Sequence, residues 1–323
     1  MPDPLFDPAF LKKLEMLTLV ARQLFRGDTR GDRRSTVHGA SVEFADFRPY
    51  VQGDDFRRID WNAYAKFESL MLRLFIEEQE LSVHVLLDCS ASMNYGGETA
   101  LTGRPSGGFS ADAPALTEKS PANKFNYARR LAAALAYIAL ANTDKVTFTT
   151  LAVDSDNDTF LGPPSGTMRG KPGILRLMDQ LQSLKPKGTT DLNASLSRFA
   201  LRTSRAGLII LISDLLSETG YEEGVKRLRY GKHDVVLAHT LSPHELRPEL
   251  MGDVRLVDLE TNAGVDISAN RHVMTAYAKR LNAFISGIQS FAHKHGCSYV
   301  LANTATPFED LVLKQFRSLG LAR

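Results

Sequence analysis

The sequence predicts an α/β fold built on a doubly wound, mostly parallel sheet, with a small N-terminal helix-plus-strand subdomain. Two apolar runs carry most of that prediction. Val83-His84-Val85-Leu86-Leu87 stops abruptly at Asp88, and Leu208-Ile209-Ile210-Leu211-Ile212 stops at Ser213-Asp214. Short continuous runs rich in β-branched residues and leucine read as parallel strands buried on both faces. The third observation is that helical segments separate the strands, which places right-handed crossover helices on both faces of the sheet.

In chain order, Phe10, Leu11, Leu14, Leu17, Leu19, Val20 and Leu24 approximate helical spacing over 7–26, and Gly27 ends the stretch. Alternation of Val42, Phe44 and Tyr50 with polar residues suggests short strands, and 70–76 is a further strand. Between them, 53–61 and 63–66 read as a dense charged loop holding the one tryptophan, Trp61. Residues 1–80 thus form one subdomain and 81–323 the main domain. In the loop, Phe56, Ile59 and Trp61 interleave with Asp54, Asp55, Arg57, Arg58 and Asp60, so the apolar side chains are expected to be buried while the charges pair. A partner-binding surface anchored by Trp61 is the other reading.

Residues 94–122, rich in Gly, Ser and Pro, form an insertion too long to be an ordinary connection: functional or disordered, a lid or a passive loop. An alanine-rich helix follows over 124–142, then a strand over 145–153 and a short edge candidate at 159–161. Helices over 173–184 and 192–202 flank a threonine loop. Further on lie a helix at 221–230, a strand at 234–241, a hairpin within 252–267, a long helix at 271–295, a strand at 297–302 and a last helix at 308–319.

The chemistry gathers at strand ends. Asp88, Ser90 and Ser92 alternate, so one tight loop can point three oxygens at one place, the carboxyl end of a strand, where open α/β sheets hold ligands. Hard oxygens suit a hard cation such as Mg²⁺. Lys187-Gly188-Thr189-Thr190-Asp191-Leu192 adds a loop threonine and Asp214 a second strand-terminal carboxylate. Asp-x-Ser-x-Ser, a loop threonine and a strand-terminal aspartate, in that order, resemble the metal-ion-dependent adhesion site of von Willebrand factor A domains, a Rossmann-type fold. That resemblance implies Asp88, Ser90, Ser92, Thr190 and Asp214 as metal positions, with Thr189 where the family often has glycine, so the choice between the two threonines stays open. It also implies a strand order 3-2-1-4-5-6, in which the first and fourth strands, ended by Asp88 and Asp214, are neighbours.

A second resemblance lies over 39–93. Gly53-Asp54-Asp55-Phe56-Arg57-Arg58-Ile59-Asp60-Trp61, with Glu43-Phe44 and Arg48-Pro49-Tyr50 before it and Glu78 and Leu87-Asp88 after, is similar to the bacterial domain-of-unknown-function family 58. Members carry a von Willebrand A-like domain and are commonly encoded beside MoxR-type AAA+ ATPases. The resemblance implies a non-enzymatic, metal-dependent adaptor that binds partner carboxylates through Mg²⁺ or another divalent cation. Its partner would be a MoxR-type ATPase, the pair acting on a client protein in chaperone-like or assembly work. A Mg²⁺-dependent hydrolase is the alternative.

Other classes find less support. A net charge of +2 makes no case for nucleic acid or a membrane surface. No stretch of about 18 apolar residues exists to span a bilayer, and Met1-Pro2-Asp3-Pro4 is no signal peptide, so a cytoplasmic, soluble protein is expected. Cys89 and Cys297, far apart in apolar contexts, read as small buried residues in a reducing compartment. His84, inside a strand, reads as a satisfied core histidine. His293-Lys294-His295-Gly296-Cys297 has soft-metal spacing but sits where a helix ends. Residues 166–172 are one short of a phosphate loop, and neither a His-Glu-x-x-His nor a Gly-x-Ser-x-Gly motif is present.

Overall fold

By its internal contacts the chain divides into two units, residues 30–80 and residues 1–29 with 81–323. The computed structural model describes residues 6, 8, 10–16, 42–52, 54–77, 82–96, 123–141, 144–151, 162, 164–203, 205–261 and 263–316. The edge candidate at 159–161 and residues 97–122 of the insertion lie outside them. Among the described residues no helix is long and apolar enough to cross a membrane.

The sequence groups residues 1–80 together, yet helical residues 10–16 (α1) belong to the larger unit. The rings of Phe10 and Phe308 lie 5.1 Å apart, Lys13 reaches Glu309 at 2.7 Å, and Leu14 is fully buried. Phe10 and Leu14, one helical turn apart, therefore find their partners near the other end of the chain, which no local pattern discloses.

The smaller unit pairs β1 (Val42–Pro49) antiparallel with β2 (Met71–Glu77), with a bulge between Phe44 and Asp46. The charged stretch between them is not a loop throughout. Asp55 caps a 3-10 turn, Phe56–Arg58, and Asp60 caps α2 (Trp61–Phe67), accepting from the amides of Asn62 and Ala63 at 2.8 and 3.1 Å. Acids that read as a charge cluster are helix caps. Arg48 pairs with Asp54 at 2.7 Å. Of the three apolar residues expected inside, only Ile59 is buried; Phe56 and Trp61 are 66% and 63% exposed. With Asp60 as cap, Trp61 takes the first helical position, about 200° around the helix from Ala63, its buried residue.

The larger unit continues with β3 (Ser82–Asp88), a 3-10 turn Ala91–Asn94, α3 (Lys124–Ala141), β4 (Lys145–Leu151), α4 (Gly170–Ser183), α5 (Leu192–Arg202) and β5 (Leu208–Ser213). Then come α6 (Glu222–Tyr230), β6 (Asp234–Leu241), α7 (Pro243–Leu246), the antiparallel hairpin β7 (Gly252–Val257) and β8 (Gly264–Ala269), α8 (Arg271–Lys294) and β9 (Ser298–Asn303). The predicted last helix is two pieces, α9 (Phe308–Asp310) and a π-helical turn, Leu311–Phe316.

β4-β3-β5-β6-β9 form one five-stranded sheet, parallel throughout. Five strands of the expected six-stranded order are present among the described residues; beyond β4, the Gly162, Ser165 and Met168 amides donate to the Thr150, Phe148 and Val146 carbonyls. The central strands β3, β5 and β6 bury both faces. Val83, Val85, Leu87, Val146, Phe148, Ile210, Ile212 and Val236 meet α3, α4 and α1; Leu86, Ile209, Leu211, Val235 and Leu237 meet α5, α6 and α8. Burying each such side chain contributes about 1.5–3 kcal/mol. The small face of α3, with Ala128, Ala132 and Ala136 fully buried, lets it lie close against the sheet.

Candidate metal site

β3 and β5 pair in register, Val83 beside Leu208 through Leu87 beside Ile212, so Asp88 and Asp214 emerge together at the carboxyl edge. β4 lies on one side of β3 and β5 on the other, which makes this the topological switch point of the sheet. Both aspartates are buried, 2% and 1% exposed.

Asp88 is held by three donors. Its Oδ1 accepts from the Ser90 amide at 3.0 Å and the Thr190 hydroxyl at 2.9 Å, and its Oδ2 from the Ser213 hydroxyl at 2.6 Å. Gly188, at φ +72, turns the threonine loop toward Asp88 in a conformation that favours glycine. The Ala91 amide donates to the Gly188 carbonyl and the Lys187 amide to the Cys89 carbonyl, both at 2.9 Å, stitching the two loops together. Thr190 is the threonine that reaches Asp88; Thr189 is exposed on the cavity wall. The hydroxyls of Ser90 and Ser92 lie 2.9 Å apart, and Ser92 lines a cavity together with Glu260. Ser90 precedes the 3-10 turn but makes no side-chain cap, so its hydroxyl is not spent on one. Leu215, at φ 58, turns the chain sharply after Asp214, a strained conformation for a bulky residue. The five residues singled out from the sequence therefore meet at one end of the sheet.

Four further residues belong to the site. Ser213 holds Asp88 from β5. Lys124, first residue of α3 and 1% exposed, donates to Asp214 Oδ2 at 2.8 Å and to Glu245 Oε1 at 2.7 Å. Glu245 is aimed by a capping box: its other oxygen accepts from the Ser242 amide at 2.7 Å, while the Ser242 hydroxyl accepts from the Glu245 amide. Glu260 comes from the turn between β7 and β8. Of these, the capping box Ser242-Pro243-His244-Glu245 had a sequence signature; the others are set by tertiary contact.

A cavity of about 420 Å³ opens over these groups, lined among others by Ser92, Lys124, Thr190, Glu245 and Glu260. Among the described residues Lys124 is the one basic side chain lining it, against Asp191, Glu218, Glu245, Asp258 and Glu260. Burial, and then the Asp214 charge, pushes the Asp88 carboxyl above its ordinary range despite its donors. Burial acts likewise on Asp214, but the Lys124 ammonium outweighs it and holds that carboxyl below the usual range. Burial opposes the Lys124 charge, and Asp214 and Glu245 overcome it. Burial also raises Glu260; the Ser92 hydroxyl opposes this, and the charges of Asp88, Asp214 and Asp258 add to it. Oxygen donors around negative charge that one ammonium does not offset are what a hard divalent cation takes, so Asp88, Ser90, Ser92, Thr190 and Asp214 fit such an ion.

The rival sites do not gain from the structure. The His84 ring packs edge-on against Phe199 and His233, and burial lowers its pKa to about 4. It is a core histidine but not a satisfied one: among the described residues neither ring nitrogen has a hydrogen-bond partner. His293 and His295 end α8, where the His295 amide bonds to the Phe291 carbonyl and Gly296 takes a φ of +63. Cys89 and Cys297 are free thiols, and burial raises the pKa of both.

Among solved structures, the chain is similar to an aerotolerance-related membrane protein from Bacteroides fragilis NCTC 9343 (13% identity, TM-score 0.40, 74% of this chain and 100% of that one). It is also similar to the conserved hypothetical protein BatB from Bacteroides thetaiotaomicron (16% identity, TM-score 0.39, 75% and 99%). The uncharacterized proteins Rv1480 of Mycobacterium tuberculosis (strain ATCC 25618 / H37Rv) and Mb1516 of Mycobacterium bovis (strain ATCC BAA-935 / AF2122/97) are each 23% identical over 274 residues, 84% of this chain and 78% of theirs. A family model matches residues 46–104 and 113–283, more than half of the chain: the chain belongs to DUF58, a family of proteins of unknown function.

Proposed function

We propose that this protein is a metal-dependent protein-interaction adaptor of von Willebrand A type. Asp88, Ser90, Ser92, Thr190 and Asp214 would hold Mg²⁺ or another divalent cation and present it to an acidic group of a partner. The observation that carries this reading is the pair of buried carboxylates, Asp88 and Asp214, facing three hydroxyls, with Lys124 the one basic group on the cavity wall among the described residues. The bound cation supplies an electrophile for a partner carboxylate oxygen. The protein's own groups do the rest: Ser213 and the Ser90 amide orient Asp88, Lys124 orients Asp214, and the Gly188 turn brings Thr190 over.

The resemblance to family 58 supports a MoxR-type AAA+ ATPase as the partner, with chaperone-like or assembly work on a client protein as the shared task. The hydrolase reading has less behind it: among the described residues no histidine lines the cavity, and Lys124 is tied to two carboxylates. Capture of the ATPase by the wild-type chain, lost with chelator and in Asp88→Ala and Thr190→Ala, is the expected result. Capture indifferent to chelator and to both substitutions contradicts the adaptor reading. Phosphoester or peptide turnover abolished by Asp88→Ala would favour the hydrolase instead.

A further inference from the structure

We propose that Glu260, in the turn of the β7–β8 hairpin, is a further ligand of the cation and holds the position that a partner's carboxylate must take. The inference rests on the cation reading above and adds the chain's own competitor to it.

The turn is built to place this side chain. Asp258 accepts from the amides of Glu260 and Thr261 at 2.7 and 2.9 Å, and its own amide bonds to the Ala263 carbonyl at 2.9 Å. This fixes the backbone of 258–261 without help from the sheet. Along the hairpin nearly every residue is exposed, including Asp258, Leu259 and Thr261; Glu260 between them is half-buried, in the cavity wall with Ser92, Thr190 and Lys124. An exposed turn has solvent on offer, yet this one residue of it lines the same cavity as Ser92, Thr190, Lys124 and Glu245, close enough for the charges of Asp88 and Asp214 to act on its carboxyl. Among the described residues Glu260 forms no ion pair, and Lys124 is already bound to Asp214 and Glu245. A carboxylate turned from water into the field of two others is unfavourable unless something positive lies among them. A cation shared by Ser92, Asp88, Asp214 and Glu260 removes that conflict. A proton on Glu260 would remove it too, and the two explanations differ in what the site binds.

Access to the site then runs through the hairpin. A partner gains the cation only by displacing Glu260, so its acid must come on a surface that also accommodates the withdrawn turn. Acidic peptides presented by a protein fit this better than a free small carboxylate.

Mn²⁺ is the probe, with water-proton relaxation counting the exchangeable waters on the bound ion. Wild type, Glu260→Ala, Glu260→Gln and Asp88→Ala are compared, with the thermal midpoint checking that each is folded. The expected result is that Glu260→Ala binds Mn²⁺ about tenfold more weakly than wild type, that its bound ion carries one more exchangeable water, and that acetate removes that water in Glu260→Ala but changes nothing in wild type. Glu260→Gln should fall between them. Equal affinity and equal water count in wild type and Glu260→Ala, with Asp88→Ala still silent, would overturn the role of Glu260 while leaving the cation reading in place. A wild type that binds no Mn²⁺ overturns both.

Discussion

Asp88 receives three hydrogen bonds and still titrates above an ordinary carboxyl, because burial and the Asp214 charge outweigh them. One residue away in the same sheet edge, Asp214 goes the opposite way because Lys124 touches it. The Lys124 ammonium is thus the internal counter-charge of the site. Replacing it in Lys124→Met leaves the buried Asp214 and the half-buried Glu245 without their counter-charge and should cost about 3–5 kcal/mol in urea denaturation; an unchanged midpoint would show that the triad contributes nothing. His84 sets a separate pH limit. Burial, and then His233, depress its pKa from 6.5 to about 4, so the unfolded chain takes up a proton that the folded chain refuses. The stability held by neutral His84 is complete above pH 6.5 and is lost as pH falls from there to about 4, about 3 kcal/mol in all. His84→Leu should flatten that part of the stability profile, and an unaltered slope would refute the assignment. At this scale the sequence disclosed the five hydroxyl and carboxyl groups, because alternation and strand ends are local features. It did not disclose Lys124, 90 residues from Asp214, or Glu260, since neither lies in a local pattern and both are placed by packing.

Elements were legible where their period was strong. α5 and β6 begin and end where the spacing predicts, and α3 begins where it predicts. α2 is not, because Asp60 stands in the sequence as one charge among several and its role as the cap that starts a helix shows only in the fold. The same cap is what keeps Trp61 from the inside position its apolar neighbours suggest. As the single tryptophan and 63% exposed, it should emit like indole in water and be quenched freely by iodide, and Trp61→Ser should change stability by less than about 0.5 kcal/mol. A blue-shifted, protected emission would contradict the exposed placement. The threonine loop depends on one backbone conformation. Gly188→Ala forces a side chain into the left-handed region, which should cost about 1–2 kcal/mol and weaken cation binding by moving Thr190; unchanged binding would mean that Thr190 is not a ligand.

The whole molecule gives the site its rigidity. Two apolar layers, one on α3 and α4 and one on α5, α6 and α8, clamp the sheet from both sides, so the carboxyl ends of β3 and β5 cannot drift apart. The predicted parallel sheet follows from runs of apolar residues separated by helices and is present, and β3 and β5 are the neighbours that the resemblance implied. The grouping of residues 1–80 is not, because Phe10 and Leu14 pack in the core of the larger unit, and a pattern within one helix says nothing of its distant partner. On this frame, adding a divalent ion should raise the thermal midpoint and chelation should lower it, the gain reaching about 2.7 kcal/mol when the ion is at a hundred times its dissociation constant. The central claim is the cation at the switch point, and calorimetric titration of Mg²⁺ into wild type and into a folded Asp88→Ala tests it most directly. Saturable one-site binding in wild type and none in Asp88→Ala is the predicted result; no binding in wild type, or equal binding in both, would contradict it.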